Sequence, residues 1–248
     1  MDDMTSLRGK AVVITGGFTG IGRATARLLV TDGAKVLIFG IEQKDLQPAL
    51  DDIRAAAANG GEAHAFLGDV GKPDDVDRAF READATLGGV DVLVNNAAIA
   101  RARLLDDDYR AWQRMVEVNL LGYLACARAA ADRMRPKRDG HIVNVGSMSA
   151  DLRETGQDVY VATKAAIQAF SETLRKKVNE EGIRVTLIEP GAVATPIQGK
   201  TREQYRERLE KMEMLEAEDV AAAIHFSLTQ PKRSNVVMVQ VRPLKQLI

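Results

Sequence analysis

The 248-residue chain has one cysteine, few aromatic residues, almost no net charge and no long apolar run. Each shortage excludes something. With Cys126 alone, no intramolecular disulfide can form, and the chain suits a reducing compartment. Aromatic residues make up 4%, so the core must come from Ala, Val, Leu and Ile, which pack helices closely on a buried parallel sheet. The 34 basic and 35 acidic residues leave a formal charge of −1, too little to draw in nucleic acid or a membrane surface. No apolar run approaches the roughly 20 residues that span a bilayer. Residues 1–10 are polar and charged, without a secretory apolar core. A cytoplasmic protein is expected. His64, His141 and His225 lie far apart and lack ligand spacing, so they read as structural and no metal is expected.

What is present is a rhythm. Short apolar runs at 11–15, 35–39, 62–67, 90–95, 140–145, 184–189 and 235–241 read as strands. Amphipathic stretches at 20–32, 44–58, 73–87, 106–135, 158–181 and 217–228 read as the helices between them. Such alternation predicts an α/β, Rossmann-type doubly wound parallel sheet of about seven strands with helices on both faces. It fills residues 1–248 as a single domain. The stretch 195–216, rich in Arg, Glu, Lys and Met, breaks the rhythm after a strand's carboxyl end, where this fold binds ligands, and is a candidate substrate lid. Asp106, Asp107 and Asp108 read as capping charge at a helix start.

Thr15-Gly16-Gly17-Phe18-Thr19-Gly20-Ile21-Gly22 joins the first strand to the first helix. Gly16 suits a tight turn, Gly20 the approach of backbone to a pyrophosphate, and Gly22 close helix–strand packing. The helix N-terminus adds free N–H groups and partial positive charge. This T-G-x-x-x-G-x-G spacing resembles the short-chain dehydrogenase/reductase family, and the resemblance runs over nearly the whole chain. It implies cofactor contacts at Gly16, Thr19, Gly20 and Ile21. It also places Asp69 and Val70 at the adenine, Asn96 and Ala97 in a motif close to N-N-A-G, and Pro190, Gly191, Val193 and Thr195 at the nicotinamide carboxamide.

The same resemblance implies a catalytic tetrad of Asn119, Ser147, Tyr160 and Lys164, the last two also touching cofactor. Tyr160 and Lys164 are four apart, hence on one face of a helix. A phenol with a pKa of about 10 is a poor base at neutral pH. A neighbouring ammonium and an oxidised nicotinamide favour the phenolate, making Tyr160 a general acid/base for a carbonyl or alcohol. Ser147 would bond the substrate oxygen. Gly146 replaces the first serine of the family's frequent Ser-Ser pair. Ser149 reads as a local loop contact and Cys126 as a small buried residue. Arg101, Arg103 and Arg153 flank the substrate side, where exposed arginines are usually only surface.

The expected chemistry is hydride transfer between a nicotinamide cofactor and a small-molecule carbonyl or alcohol. A non-catalytic dinucleotide-binding sensor or scaffold is the alternative. Gly40 stands where NAD-selecting members carry aspartate, and Ile41 where NADP-preferring members carry arginine. Glu42, two residues late, would repel a 2′-phosphate, so the reading leans to NAD over NADP. Resemblance implies a homotetramer or homodimer paired through the stretches 106–135 and 158–181. The ending Val241-Arg242-Pro243-Leu244-Lys245-Gln246-Leu247-Ile248 departs from the family's usual Asp-Gly-Gly and resembles an Arg-Pro tail of some bacterial members. Ile99, Met148, Leu152 and Ile197 are expected around a pocket whose substrate the sequence does not name.

Overall fold

The computed structural model describes residues 4–100, 102–153, 155–199 and 201–246. Seven strands, β1 Ala11–Thr15, β2 Lys35–Gly40, β3 Glu62–Leu67, β4 Val92–Asn95, β5 Gly140–Val145, β6 Ile183–Pro190 and β7 Met238–Val241, form one sheet in the order β3-β2-β1-β4-β5-β6-β7. Every pairing is parallel. This is the expected doubly wound sheet, and the winding reverses between β1 and β4, where such sheets open a crevice at the strands' carboxyl ends.

Alternation along β1 builds both halves of the core. Val12 and Ile14 face a layer formed with Leu29 of α1 (Gly20–Thr31), Ile53 of α2 (Gln43–Ala56) and Ile224 of α9 (Ala217–Thr229). Ala11 and Val13 face the opposite layer, with Phe80 of α3 (Pro73–Leu87), Cys126 of α5 (Gly122–Met134) and Val178 of α7 (Asp158–Val178). Each fully buried Leu, Ile or Phe contributes about 1.5–3 kcal/mol relative to exposure. α3 shows its local cause plainly: Pro73 opens it, Asp74 and Asp75 sit in the first turn, and Gly88 at φ 81° ends it.

The structure departs from the expected 106–135 helix. Asp108 caps α4 (Tyr109–Val116) by accepting from Ala111 N at 3.0 Å. A π-helical turn, Glu117–Leu121, then intervenes before α5. A wide turn holds an extra residue without changing the apolar pattern enough to show in a 3.6-residue period, and such turns recur at functional sites. The last strand begins at Met238 rather than 235, the fourth at Val92 rather than 90, and a short α6 (Ser149–Leu152) was not anticipated. Within 195–216 lies α8 (Arg202–Glu210), held by a capping box of Thr201 and Gln204; Lys200 of this stretch is outside the described residues.

His141 is buried in β5, with Nε2 2.8 Å from Thr186 Oγ1. Thr186 spends its proton on Val236 O at 2.6 Å, so His141 must be the donor and its Nδ1, without a partner, is bare. Burial pushes its pKa down to about 3. An unfolded histidine titrates near 6.5, so the unfolded chain binds the extra proton first and stability falls as pH drops below about 6.5. Urea unfolding should show the wild type losing about 2–3 kcal/mol more than His141→Gln between pH 7 and 4.5. Equal losses would mean that this imidazole is not held neutral.

Candidate functional site

A cavity of about 890 Å³ lies over the carboxyl ends of the strands. It runs from the glycine turn, past β4 and β5, to the loop after β6. Gly16, Thr19, Gly20, Ile21, Asn96, Ala97, Ser147, Tyr160, Lys164, Pro190, Gly191, Val193 and Thr195 all line it. The volume falls in the range of about 300–1,000 Å³ usual for ligand sites.

At the turn, the backbone is packed beyond what side chains allow. Gly16 has φ 64°, and a Cβ there would lie 2.9 Å from Ala97 Cα. A Cβ on Gly22 would come within 2.4 Å of Gly16 O. The buried Thr15 Oγ1 accepts from Asn96 N and Ala97 N at 2.9 and 3.1 Å, and Asn96 Nδ2 donates to Thr15 O at 3.0 Å. The β1 and β4 loops are thus one unit at the N-terminus of α1. That cradle, with free helix N–H groups above it, fits a dinucleotide pyrophosphate.

On the adenine side the expected residues lie apart from the cavity lining. Asp69 accepts from Gly71 N at 2.8 Å and Arg114 Nη2 at 2.9 Å, while Asp75 Oδ2 takes its amide at 2.9 Å. Val70 is buried against Gly122, the first residue of α5. Glu42 is exposed at the start of α2. Gly40 has a steric reason the sequence does not display: a Cβ there would meet the Phe18 ring at 2.5 Å. Phe18 occupies the space an aspartate at 40 would need.

At the other end, α7 presents Tyr160 and Lys164 toward Ser147. Lys164 is buried, and its Nζ donates to Val145 O at 2.8 Å and lies 5.9 Å from the Tyr160 ring centre. Burial pulls its pKa down to about 7. Tyr160 is pushed above its ordinary value by desolvation, and a hydrogen bond with Ser147 acts in the opposite direction. The lowering expected from the lysine is not among these influences. Asn119, buried in the π turn, is outside the lining. Its amide accepts from Ile99 N at 2.9 Å and donates to Ile99 O at 2.8 Å and Thr163 Oγ1 at 3.2 Å. Thr163 in turn donates to Tyr160 O at 2.8 Å, so Asn119 fixes the β4 loop to the helix that carries the tyrosine.

Several residues that shape this site stand outside any sequence motif. Tyr123 donates to Val145 O at 3.0 Å and lies 3.4 Å from Lys164 Nζ; its place four after Asn119 was the available signal. Glu189, fully buried, accepts from Gln168 at 2.6 Å and Gln240 at 3.1 Å, and both amides also donate to Asp151 at 2.9 and 3.0 Å. This closed ring ties α6, α7, β6 and β7 behind Ser147. At Gly146 a Cβ would sit 3.0 Å from Leu187 Cδ1 and 3.4 Å from Glu189 Cγ, so a side chain there needs Leu187 to give by a few tenths of an ångström. Of the pocket residues expected, Met148, Leu152 and Ile197 line the cavity, and Ile99 does not. Arg103 is at its rim, 3.3 Å from Asp106; Arg153 lies away from it, and Arg101 is outside the described residues. Ser149 N donates to Ser147 Oγ at 3.1 Å, a local contact.

A parallel seven-stranded sheet with a glycine turn at its switch point defines a Rossmann-type dinucleotide-binding fold. Comparison with known proteins goes further. The family model for short chain dehydrogenases matches residues 10–206, and the chain belongs to that oxidoreductase family. An uncharacterized oxidoreductase of Staphylococcus aureus is 34% identical over 242 residues, covering 97% of this chain and 100% of that protein. One of Staphylococcus haemolyticus is 33% identical with the same coverage, 97% and 100%. The crystal structure of a 3-ketoacyl-(acyl-carrier-protein) reductase from Brucella melitensis complexed with NADH superposes with a TM-score of 0.86 at 27% identity, covering 98% of this chain and 100% of the other. A metagenomic short-chain oxidoreductase in complex with NADP gives 0.81 at 28% identity, covering 96% and 99%. No helix among the described residues is long and apolar enough to cross a membrane.

Proposed function

We propose that the protein transfers a hydride between a nicotinamide dinucleotide and the carbonyl or alcohol of a small molecule. The observation that carries this is the convergence of Ser147, Tyr160 and Lys164 on one cavity continuous with the glycine cradle. When bound, the nicotinamide supplies or accepts the hydride. Tyr160 gives a proton to the carbonyl oxygen, or takes one from the alcohol. Ser147 donates to the same oxygen and stabilises charge developing there. Lys164 Nζ, held by Val145 O, lies 5.9 Å from the Tyr160 ring centre, where in its protonated form it would offset part of the desolvation that favours the neutral phenol. Asn119 positions α7 through Thr163. The stretch 195–216 supports a covering role: Pro196, Ile197 and Arg208 line the cavity, and Tyr205 Oη donates to Thr195 O at 2.7 Å. Half-exposed Leu121 and Leu124 beside α5 favour pairing with a second copy there.

NAD is the proposed cofactor. Arg23, the cation in the first turn of α1, is engaged by Asp52 at 2.7 Å, and the exposed Glu42 would repel a 2′-phosphate. Fluorescence titrations with NADH and NADPH test this. Tighter binding of NADH by tenfold or more is expected; equal binding, or preference for NADPH, would overturn the assignment to NAD. No binding of either would overturn the enzymatic reading itself.

A further inference from the structure

The residues after β7 belong to neither the glycine cradle nor the Ser147–Tyr160–Lys164 group. They turn back over the carboxyl end of β6 instead of leaving the fold. Pro243 is buried against Gly191, and Gln246 N donates to Pro243 O at 3.1 Å, closing a turn that brings the Gln246 side chain to the cavity wall. Gln246 Oε1 accepts from Ala192 N at 2.9 Å. A Cβ on Gly191 would lie 2.9 Å from Pro243 Cδ and would run into Gln246 Oε1. The glycine at 191 is therefore fitted to this tail.

The same tail grips the far side of the cover. Lys245 N donates to Met212 O at 2.9 Å, just past α8, where Met212 takes a left-handed conformation at φ 57°. From there the chain returns to the loop: Leu215 N donates to Ala192 O at 2.8 Å, and Ala194 N donates to Leu215 O at 2.9 Å. Both polar groups of the Ala192 backbone are thus held, the carbonyl by Leu215 and the amide by the tail. The segment 190–195 has no regular secondary structure of its own beyond the end of β6 and an isolated bridge between Val193 and Leu215. Gly191 N donates to Val241 O at 2.8 Å, so Gln246 is the side-chain partner of the Ala192 amide within a loop otherwise held by backbone bonds.

We propose that Gln246 is a positioning residue for the nicotinamide half of the cofactor, acting through the Gly191–Ala192 backbone. This rests on the dinucleotide reading. Its signature is a split effect: the hydrogen bonds of Lys245 and Gln246 go to Met212, Pro243 and Ala192 and not to the glycine cradle, so a ligand that ends before the nicotinamide should sense the change far less. The side chain serves as an acceptor, so a carboxylate can replace it and an aliphatic group of similar size cannot.

Titration calorimetry on the full chain, with NADH and separately with ADP-ribose, tests this. Gln246→Leu should weaken NADH about five- to tenfold, the loss expected for one stranded backbone donor, and leave ADP-ribose within about twofold. Gln246→Glu should restore NADH to within about threefold of wild type. Unchanged NADH affinity in Gln246→Leu would overturn the proposal. Equal weakening of both ligands would also overturn it, because that marks a general structural loss, and so would failure of Gln246→Glu to restore binding. If the wild type binds neither ligand, the dinucleotide reading falls first and this assignment falls with it.

Discussion

Tyr160→Phe should lower turnover by 100-fold or more on any carbonyl or alcohol that the protein converts, while NADH affinity stays within about twofold. The phenol oxygen is the group that desolvation and Ser147 act upon from opposite directions. Removing it leaves the ring, the helix and the Lys164 environment in place, and takes away only the proton donor. Desolvation favours the neutral phenol, which suits giving a proton to a carbonyl. Running the reaction as an alcohol oxidation needs the phenolate, and positive charge near Tyr160 must then offset the desolvation. Single-turnover rates with bound cofactor measure this step directly. A Phe variant with wild-type turnover would remove Tyr160 from the chemistry altogether.

The second large effect belongs to the other end of the cavity. Gly22→Ala places a methyl group 2.4 Å from Gly16 O and 2.7 Å from Asn96 Nδ2. Neither can yield freely, because Asn96 is bound to Thr15 O and Gly16 O at 3.0 and 3.2 Å. The glycine turn must shift away from α1, at a cost of about 1–3 kcal/mol for overpacking. NADH binding should weaken at least tenfold, since the cradle and the helix N–H groups no longer face one ligand position. Thermal unfolding and an NADH titration on the same preparation check both effects. An alanine variant of normal stability and normal affinity would show that the turn is not the phosphate cradle.

Much of this was legible beforehand, in uneven measure. The β1 and β5 segments were found at their observed bounds, because a buried parallel strand writes itself as a short apolar run between turn residues. The glycine turn and the Tyr160–Lys164 spacing were legible for the same reason, since each is a local pattern. The starts of the fourth and seventh strands were not, because burial alone does not decide where pairing begins. The π turn at Glu117–Leu121 was hidden, as one extra residue in a helix scarcely alters its apolar periodicity.

The sequence by itself therefore determined the alternation of strands with helical connections, the class of sheet and the residue types available for proton and phosphate chemistry. Tertiary structure alone decided which distant groups satisfy one another. Phe18 closes the space over Gly40, and Asn119 ties the β4 loop to α7. Gln246 reaches an amide 54 residues away, and Glu189 joins Gln168 and Gln240 across separate elements. The physical reason is that period and turn chemistry are fixed by neighbours along the chain. A buried polar group must instead find its partner wherever the packed fold brings one within hydrogen-bond reach.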